Sequence, residues 1–207
     1  MNILWIKDGK LGHEKQVKVL LDELSKTTDI KVYEEEYIIG SFQRINDILY
    51  YASRSNELIH HVKYHKKNIH LIIGAGSNTH AKVLQIKRGL KHDFHKEVLA
   101  VSLLVPSFFK QHFDLICAPK HDRHKLSGHE AIYFEGSLAK VSIDAVDESI
   151  GLIAIGGKNE HYLFNVNKIM EQVEFITSIY PNKTWYIFSS RRTPQKMIKA
   201  INNLAQI

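Results

Sequence analysis

Short apolar runs alternate with helical patterns along the whole sequence. The first apolar run covers residues 2–6, and after a glycine-containing segment Val17, Leu20, Leu21 and Leu24 recur at the spacing of one helical face. Further strands are predicted over residues 31–39, 69–73, 98–104, 113–117, 131–134, 150–155 and 184–188. Helices are predicted between them over residues 41–66, 77–90, 165–176 and 194–204. This alternation predicts an α/β fold with Rossmann-like, mostly parallel sheets covered by helices.

Two of these helices carry residues typical of a helix start. Ser77 follows Gly74-Ala-Gly76 and is a favoured N-cap residue. Thr193 precedes Pro194, and proline is favoured at the first helical position. Ser77 and Thr193 are therefore predicted to cap their helices.

The order of elements also predicts two domains. A turn-like stretch at residues 144–149 precedes the apolar run 150–155, so we place an N-terminal Rossmann-like domain at 1–147 and the first part of a second one at 148–207. The second would have only two strands and two helices, and so small a sheet leaves edges unpaired and buries little surface. We therefore expect a homodimer or another protein partner to complete it.

Composition and charge exclude several classes of protein. With 44% hydrophobic and 24% charged residues, 11 Gly and 4 Pro, the chain is not disordered or of low complexity. Its net charge of +6 favours phosphates, nucleic acid or a peripheral contact with an acidic membrane. However, the cations are 22 Lys and only 6 Arg, and the basic stretch 60–67 has few aromatic residues and no arginine. This composition argues against nucleic-acid recognition, which usually relies on arginine.

The single cysteine and the shortness of the apolar runs predict a cytoplasmic protein. The single cysteine, Cys117, cannot form an intramolecular disulfide, and its strand-like setting favours a buried core thiol over a nucleophile. The apolar run 3–6 ends at Lys7, which is too short for a signal-peptide core. No apolar run approaches the ~18 residues of a membrane-spanning helix.

In open α/β sheets, ligands bind beyond the carboxyl ends of the strands, so the loops that follow strands are candidate sites. In the first loop, residues 8–14, the free amides of a helix N-terminus favour an anion, and Lys10 adds a positive charge. Gly12 would allow a close backbone approach, and His13 is a candidate general base because histidine exchanges protons near neutral pH. The alternative is that His13 is an ordinary polar residue of the first helical turn.

The second and third loops offer further substrate-binding candidates. Gly76, Ser77 and Asn78 could hold an anion or an acceptor hydroxyl with their amides, although a simple tight turn explains them equally well. The third loop concentrates His121, Asp122 and Arg123. The pair His121 and His124 lacks a cysteine and a zinc-protease signature, so we predict no metal site and no cofactor.

The fourth and fifth loops suit a diphosphate. Glycines, hydroxyls and guanidinium groups near a helix N-terminus can hold several phosphate oxygens by charge-assisted hydrogen bonds, whereas the alternative is an exposed basic turn. The candidate diphosphate-binding residues are Gly156, Gly157, Ser189, Ser190, Arg191, Arg192 and Thr193.

The segments DGKLGHEKQ, LIIGAGSNTH, FDLICAPKHDR, IAIGGKNEHY and FSSRRTP occur in this order. Together they resemble the mitochondrial fission ELM-type family, whose bacterial members are described as predicted nucleoside-diphosphate-sugar epimerases. The resemblance runs from about residue 3 to residue 194 and implies a glycosyltransferase-B-like architecture of two Rossmann-like domains facing a cleft. Members of that family continue beyond an SRRTP motif, so the resemblance implies that this chain is either a fragment or a short form.

Three functions remain open from the sequence. The first is a glycosyltransferase-like protein that uses or binds a nucleoside-diphosphate sugar, with His13 as base, the first three loops on the acceptor side and the last two on the donor diphosphate. The second is a nucleoside-diphosphate-sugar epimerase of the same architecture. The third is a non-catalytic scaffold or interaction protein, which the fission role in the family name suggests.

Overall fold

The chain folds into two compact units, Met1–Val141 and Ser142–Ile207. In this computed structural model, the described residues are 1–52, 58–141, 146–158 and 163–204.

The first unit contains a six-stranded parallel sheet, which confirms the α/β, Rossmann-like prediction. The strand order is β2-β1-β3-β4-β5-β6. The strands are β1 (Asn2–Lys7), β2 (Lys31–Glu36), β3 (Leu71–Ala75), β4 (Leu99–Leu103), β5 (Leu115–Pro119) and β6 (Ile132–Phe134). The predicted strands coincide with these to within about three residues at each end.

Helices cover both faces of this sheet. They are α1 (Leu11–Ser25), α2 (Ser41–Ala52), α3 (Leu58–Lys66) and α4 (His80–Phe94). On one face, Val17 and Leu21 of α1 pack against Ile3 and Trp5 of β1. On the other, α3 and α4 pack against the opposite side chains of the same strands. The helix predicted over 41–66 is two helices, and residues 53–57 between them lie outside the described residues.

The parallel register brings the loops of the first unit to one edge of the sheet. Ile6 of β1 is paired with Gly74 of β3, and Leu103 of β4 is paired with Cys117 of β5. The residues that follow these strands therefore lie side by side at the carboxyl edge. This is the edge at which open α/β sheets bind ligands.

The second unit is a two-stranded parallel sheet with helices on one face. β7 (Ile150–Ile155) pairs with β8 (Thr184–Ser189), and the helices are α5 (Val166–Ile179) and α6 (Gln195–Leu204). The side chain of Asn165 caps α5 by accepting a hydrogen bond from the amide of Lys168 (3.1 Å). On the other face of the sheet, Leu152, Tyr186 and Phe188 are exposed.

Two predicted helix caps are wrong. α4 begins at His80 rather than after Ser77, because residues 76–79 form a turn in which the amide of Thr79 donates to the carbonyl of Gly76 (3.1 Å). α6 begins at Gln195, and the Thr193 hydroxyl donates instead to the carbonyl of Gly156 (2.7 Å). Ser77 thus lies within a turn that precedes its helix, and the Thr193 hydroxyl is engaged by another loop.

The prediction for Cys117 is confirmed. This residue is free and buried in the sheet, and burial raises the pKa of its thiol. No helix in the described part of the chain has the length and apolar character needed to cross a bilayer.

A buried histidine links α4 to the sheet. The Ser102 hydroxyl donates to the carbonyl of Leu104 (2.8 Å), so the contact between His80 Nε2 and Ser102 Oγ (3.1 Å) has the imidazole as donor. His80 is only 1% exposed, and its Nδ1 has no hydrogen-bond partner among the described residues. Burial lowers the pKa of His80 to about 4, and positive charge on His13 and Arg44 acts in the same direction.

We predict that His80 makes the first unit sensitive to acid. Between the ordinary histidine pKa of 6.5 and about 4, the unfolded chain binds a proton that the folded chain does not. This group alone should therefore lower the free energy of unfolding by about 2 kcal/mol when the pH falls from 7 to 5. Urea titrations of the wild type and of His80→Asn at both pH values measure the effect.

The His80→Asn variant should show a smaller loss of stability on acidification, by that amount. The matched control is His124→Asn, because His124 is exposed. An equal acid sensitivity of His80→Asn and the wild type would contradict the prediction.

Candidate functional site

A cleft of about 710 Å³ lies at the carboxyl edge of the first unit. Its walls come from the segments that follow β1, β3, β4, β5 and β6. Six of the residues predicted from the sequence line it: Lys10, His13, Gly76, Ser77, His121 and Asp122. The structure therefore brings together parts of three loops that lie far apart in the sequence.

The central feature of this cleft is a pair formed by Asp8 and His13. His13 Nδ1 lies 2.8 Å from Asp8 Oδ2, and the Asp8 side chain is 1% exposed. The other carboxylate oxygen, Oδ1, accepts a hydrogen bond from the amide of Lys10 (3.2 Å). An ionised carboxylate can only accept, so His13 Nδ1 carries the proton and Nε2 is left as an acceptor. This arrangement fixes the imidazole ring and leaves Nε2 free to accept a proton or a hydrogen bond.

Gly76 makes room for this pair. It has φ of +83°, and a Cβ at this position would clash with the His13 ring and lie 3.0 Å from Asp8 Oδ2. Both the left-handed backbone and the close contact therefore require glycine. The loop after β3 supports the dyad in the loop after β1, a role different from the anion binding predicted for Gly76.

Charged side chains surround the mouth of the cleft. Asp122 forms an ion pair with Lys125 (2.6 Å) and lies 3.8 Å from His121 Nε2. Lys110 Nζ donates to the carbonyl of Lys125 (2.5 Å). Lys10 Nζ is 3.8 Å from Asp8, and its side chain is 56% exposed. Cations therefore predominate along the lining, as expected for a site that receives an anionic molecule.

Three predicted acceptor-side residues lie outside the lining of this cleft. Gly12 is in the first turn of α1, where a Cβ would meet nothing within 4 Å. Asn78 lies in the turn before α4. The guanidinium of Arg123 lies 5.6 Å from the centre of the Tyr133 ring and lines a separate cavity of about 930 Å³. That cavity lies beside the first residues of β5 and β6, away from the carboxyl edge.

In the second unit, the fourth and fifth loops lie against each other. A Cβ at Gly157 would clash with the backbone of Arg192, and the amide of Lys158 donates to the carbonyl of Arg192 (3.2 Å). The structure thus joins the predicted glycine pair and the predicted arginine segment at the carboxyl ends of β7 and β8. Residues 159–162 of the fourth loop, including His161, lie outside the described residues.

The hydroxyl of Thr193 holds this junction together. It lies 2.7 Å from the carbonyl of Gly156 and accepts a hydrogen bond from the amide of Ser190 (2.8 Å). The hydroxyl of Ser190 accepts from the amide of Arg192 (3.2 Å), and the amide of Thr193 donates to the carbonyl of Ser190 (3.0 Å). Several amides expected to bind phosphate are therefore used within the loop, while Arg191 and Arg192 are exposed.

A family model for "Mitochondrial fission ELM1" matches residues 11–207. The chain belongs to this family. Comparisons with curated proteins and with solved structures gave no match. The matched region of this ELM1-family chain includes His13, Gly76 and the junction between residues 156–157 and 190–193.

Asp8 was not among the functional residues predicted from the sequence. Its position directly after β1 was visible, because the apolar run ends at Lys7 and glycine follows at position 9. Its pairing with His13, five residues later, depends on the way the chain enters α1. Among the described residues, no group of three or more His, Cys, Asp or Glu side chains could hold a metal ion.

We predict that Gly76→Ala displaces His13. The added methyl group would clash with the ring and also incur a left-handed backbone cost of about 1–2 kcal/mol. The histidine NMR signals measure the displacement of the His13 ring, and the free energy of unfolding measures the backbone cost.

The matched control is Gly128→Ala. Gly128 also has a positive φ (+80°), but a Cβ there meets nothing within 4 Å. This control should lose a similar amount of stability to the strained left-handed backbone and should leave the His13 NMR signals unchanged. Unchanged His13 signals in Gly76→Ala would be evidence against the close contact.

Proposed function

We propose that this ELM1-family protein transfers a glycosyl group from a nucleoside-diphosphate sugar to a hydroxyl acceptor. The observation that supports this most directly is the buried Asp8, whose carboxylate orients His13 at the wall of a cleft with a cationic lining. The acceptor would lie in that cleft in the first unit, and the donor diphosphate would lie on Arg191 and Arg192 in the second.

In the proposed reaction, His13 is the general base. Nε2 removes the proton of the acceptor hydroxyl while the oxygen attacks the anomeric carbon. The bond from that carbon to the diphosphate breaks, and the nucleoside diphosphate leaves with the electron pair. Asp8 stabilises the imidazolium that forms and keeps the proton on Nδ1, as expected for a carboxylate at 2.8 Å.

The second unit would bind the departing diphosphate. Arg191 and Arg192 are exposed at a junction fixed by the Thr193 hydroxyl and the Gly157 contact. Guanidinium groups form bidentate, charge-assisted hydrogen bonds with phosphate oxygens. Positive charge at this position stabilises the leaving group as negative charge develops on it.

We predict that His13→Gln and Asp8→Asn reduce transfer far more than donor binding. General-base catalysis contributes roughly 10²–10⁴-fold to rate, so His13→Gln should lose about that much. Asp8→Asn should lose a comparable factor because its amide can stabilise the wrong imidazole tautomer. Release of nucleoside diphosphate from a panel of sugar nucleotides, with and without added hydroxyl acceptors, measures the rate.

His124→Gln is the matched histidine control, since His124 lies outside the cleft lining, and it should retain wild-type turnover. Wild-type rates in both dyad variants would refute the assignment of His13 as base.

We also predict that Arg191→Ala combined with Arg192→Ala weakens binding of a nucleoside diphosphate by more than tenfold. Two charge-assisted contacts, each worth about 1.5–3 kcal/mol, would be lost. Calorimetric titration of the double variant measures the affinity, and Lys196→Ala with Lys199→Ala removes the same charge from α6 as a control. Equal affinities in the two double variants would remove the donor-side assignment.

Two alternatives use the same observations differently. An epimerase would return an isomeric sugar nucleotide without an acceptor and without releasing nucleoside diphosphate, so product analysis separates it from a transferase.

A non-catalytic interaction protein is favoured by the family's name and by the exposed Leu152, Tyr186 and Phe188 of the second unit. That function predicts no turnover of any sugar nucleotide and a protein partner recovered with the wild type.

A further inference from the structure

The cleft of the first unit is much larger than the single hydroxyl group that His13 would deprotonate. Its volume of about 710 Å³ lies within the range of roughly 300–1,000 Å³ that is typical of pockets for whole small molecules. A hydroxyl group fills only a small part of such a volume. The rest of the lining therefore determines what else the ligand carries.

The segment after β4 contributes an apolar strip to this lining. Leu104, Val105 and Pro106 are consecutive there, and Pro119 at the end of β5 belongs to the same lining. Leu104 has a left-handed backbone (φ +74°), and its amide donates to the carbonyl of Cys117 (2.8 Å). This hydrogen bond ties the start of the strip to β5. The strip offers a surface for the carbon atoms of a ligand.

Lys110 carries a charge that no nearby carboxylate offsets. Of the other two lysines of the lining, Lys125 forms an ion pair with Asp122 (2.6 Å), and Lys10 lies 3.8 Å from the buried Asp8. In the part of the chain that the structure describes, no carboxylate oxygen lies within 4.0 Å of Lys110 Nζ. Its ammonium group donates to the carbonyl of Lys125 (2.5 Å), which uses one of three donors. Lys110 therefore has both charge and donors left for a ligand.

Three serines add neutral donors from separate loops. Ser77 follows β3, Ser107 follows β4 and Ser137 follows β6, and all three line the cleft. Within residues 1–52, 58–141, 146–158 and 163–204, none of these hydroxyl groups has a hydrogen-bond partner. The lining thus combines an ammonium group with hydroxyl groups that come from different segments of the chain.

This set of donors favours a phosphate over a carboxylate. A phosphate ester presents its oxygens in a tetrahedral arrangement, so separate ammonium and hydroxyl donors can reach them from several sides. A planar carboxylate is matched best by the fork of an arginine side chain. No arginine is among the described residues of the lining.

We propose that the ligand of this cleft is a hydroxyl compound that carries a phosphate ester, and that Lys110 binds the phosphate. Serine hydroxyls donate to further phosphate oxygens, and the apolar strip at residues 104–106 contacts the carbon atoms of the ligand. A hydroxyl group of the ligand lies against His13 Nε2. That this compound is the acceptor of a glycosyl group rests on the proposed function, whereas the binding of its phosphate does not.

Calorimetric titration of the full chain tests the binding without any turnover. Glycerol 3-phosphate should bind roughly tenfold or more tightly than glycerate, which carries a carboxylate in place of the phosphate ester, because the phosphate engages more of the donors. Inorganic phosphate should bind more weakly than glycerol 3-phosphate, since it leaves the rest of the cleft unfilled. Glycerol 3-phosphate that binds no better than glycerate or inorganic phosphate would overturn the proposal.

Variants of Lys110 test the assignment of the phosphate site. Lys110→Gln keeps a donor for the Lys125 carbonyl and removes the charge, so the Kd of glycerol 3-phosphate should rise roughly tenfold or more. Lys110→Arg keeps the charge and should retain most of the affinity. Thermal unfolding of each variant checks that it is folded.

The matched control is Lys26→Gln, which removes the same charge. Lys26 lies after α1, pairs with Glu23 (2.6 Å) and is outside the cleft lining. This control should bind glycerol 3-phosphate as the wild type does. Equal weakening in Lys110→Gln and Lys26→Gln would reveal only a general attraction by net charge, and the proposal would fail.

A short-chain lipid distinguishes two sources of the phosphate ester. Dihexanoyl phosphatidylglycerol carries a phosphate ester and glycerol hydroxyls, as glycerol 3-phosphate does, and adds acyl chains. Tighter binding of the lipid would assign the ligand to a lipid headgroup, and tighter binding of glycerol 3-phosphate would assign it to a soluble compound. Both results support the phosphate ester if Lys110→Gln weakens them, and binding of neither probe would overturn it.

Turnover separates this proposal from the proposed function. His13→Gln should bind glycerol 3-phosphate about as well as the wild type, because the change leaves Lys110 in place. If the wild type binds the phosphate through Lys110 but releases no nucleoside diphosphate from any sugar nucleotide, the transfer reaction fails and the phosphate site stands. If glycerol accelerates that release as well as glycerol 3-phosphate does, the transfer stands and the phosphate assignment fails.

Discussion

The burial of Asp8 is the constraint on which the site in the first unit depends. A carboxylate removed from water costs several kcal/mol unless hydrogen bonds and opposite charge compensate it. Here the compensation comes from the amide of Lys10 and from His13 Nδ1. These contacts hold the start of α1 against the end of β1, and they leave no space for a side chain at position 76. The orientation of His13 is thus a consequence of satisfying Asp8.

The two units present their candidate binding groups in different ways. In the first, a cleft is bounded by backbone turns and exposed cationic side chains, such as that of Lys10. In the second, Thr193 and Ser190 use the loop's own amides and hydroxyls, so the loop is fixed before any ligand arrives. A fixed loop loses little conformational entropy on binding. The exposed guanidinium groups are then the parts left to recognise a phosphate.

The strands and most helices could be predicted from the sequence because the apolar residues of each recur at the spacing typical of a strand or of a helix. Residue type alone did not predict the caps, because Ser77 lies in a turn closed at Gly76 and the Thr193 hydroxyl bonds to Gly156 of another loop. Bringing Lys10, Ser77 and His121 into one cleft required the strand order, which periodicity does not specify. On α2, Phe42, Ile45 and Leu49 form an exposed apolar stripe, because the opposite side of the helix is held by the hydrogen bonds of buried Asp47. Spacing defines such a stripe but not the direction in which it points.

The position of the single cysteine gives the first unit an internal reporter of local opening. Cys117 lies on β5, paired in register with Leu103 of β4 and Ile132 of β6, and only 6% of it is exposed. A thiol reagent reaches it only when the side chains packed on this face of the sheet, among them Val17 and Leu21 of α1, move away, and the raised pKa of the thiol keeps the closed form unreactive. Pro119, two residues further along β5, lines the cleft. The rate of alkylation at Cys117 therefore measures how often this face of the first unit opens, without any label added to the protein.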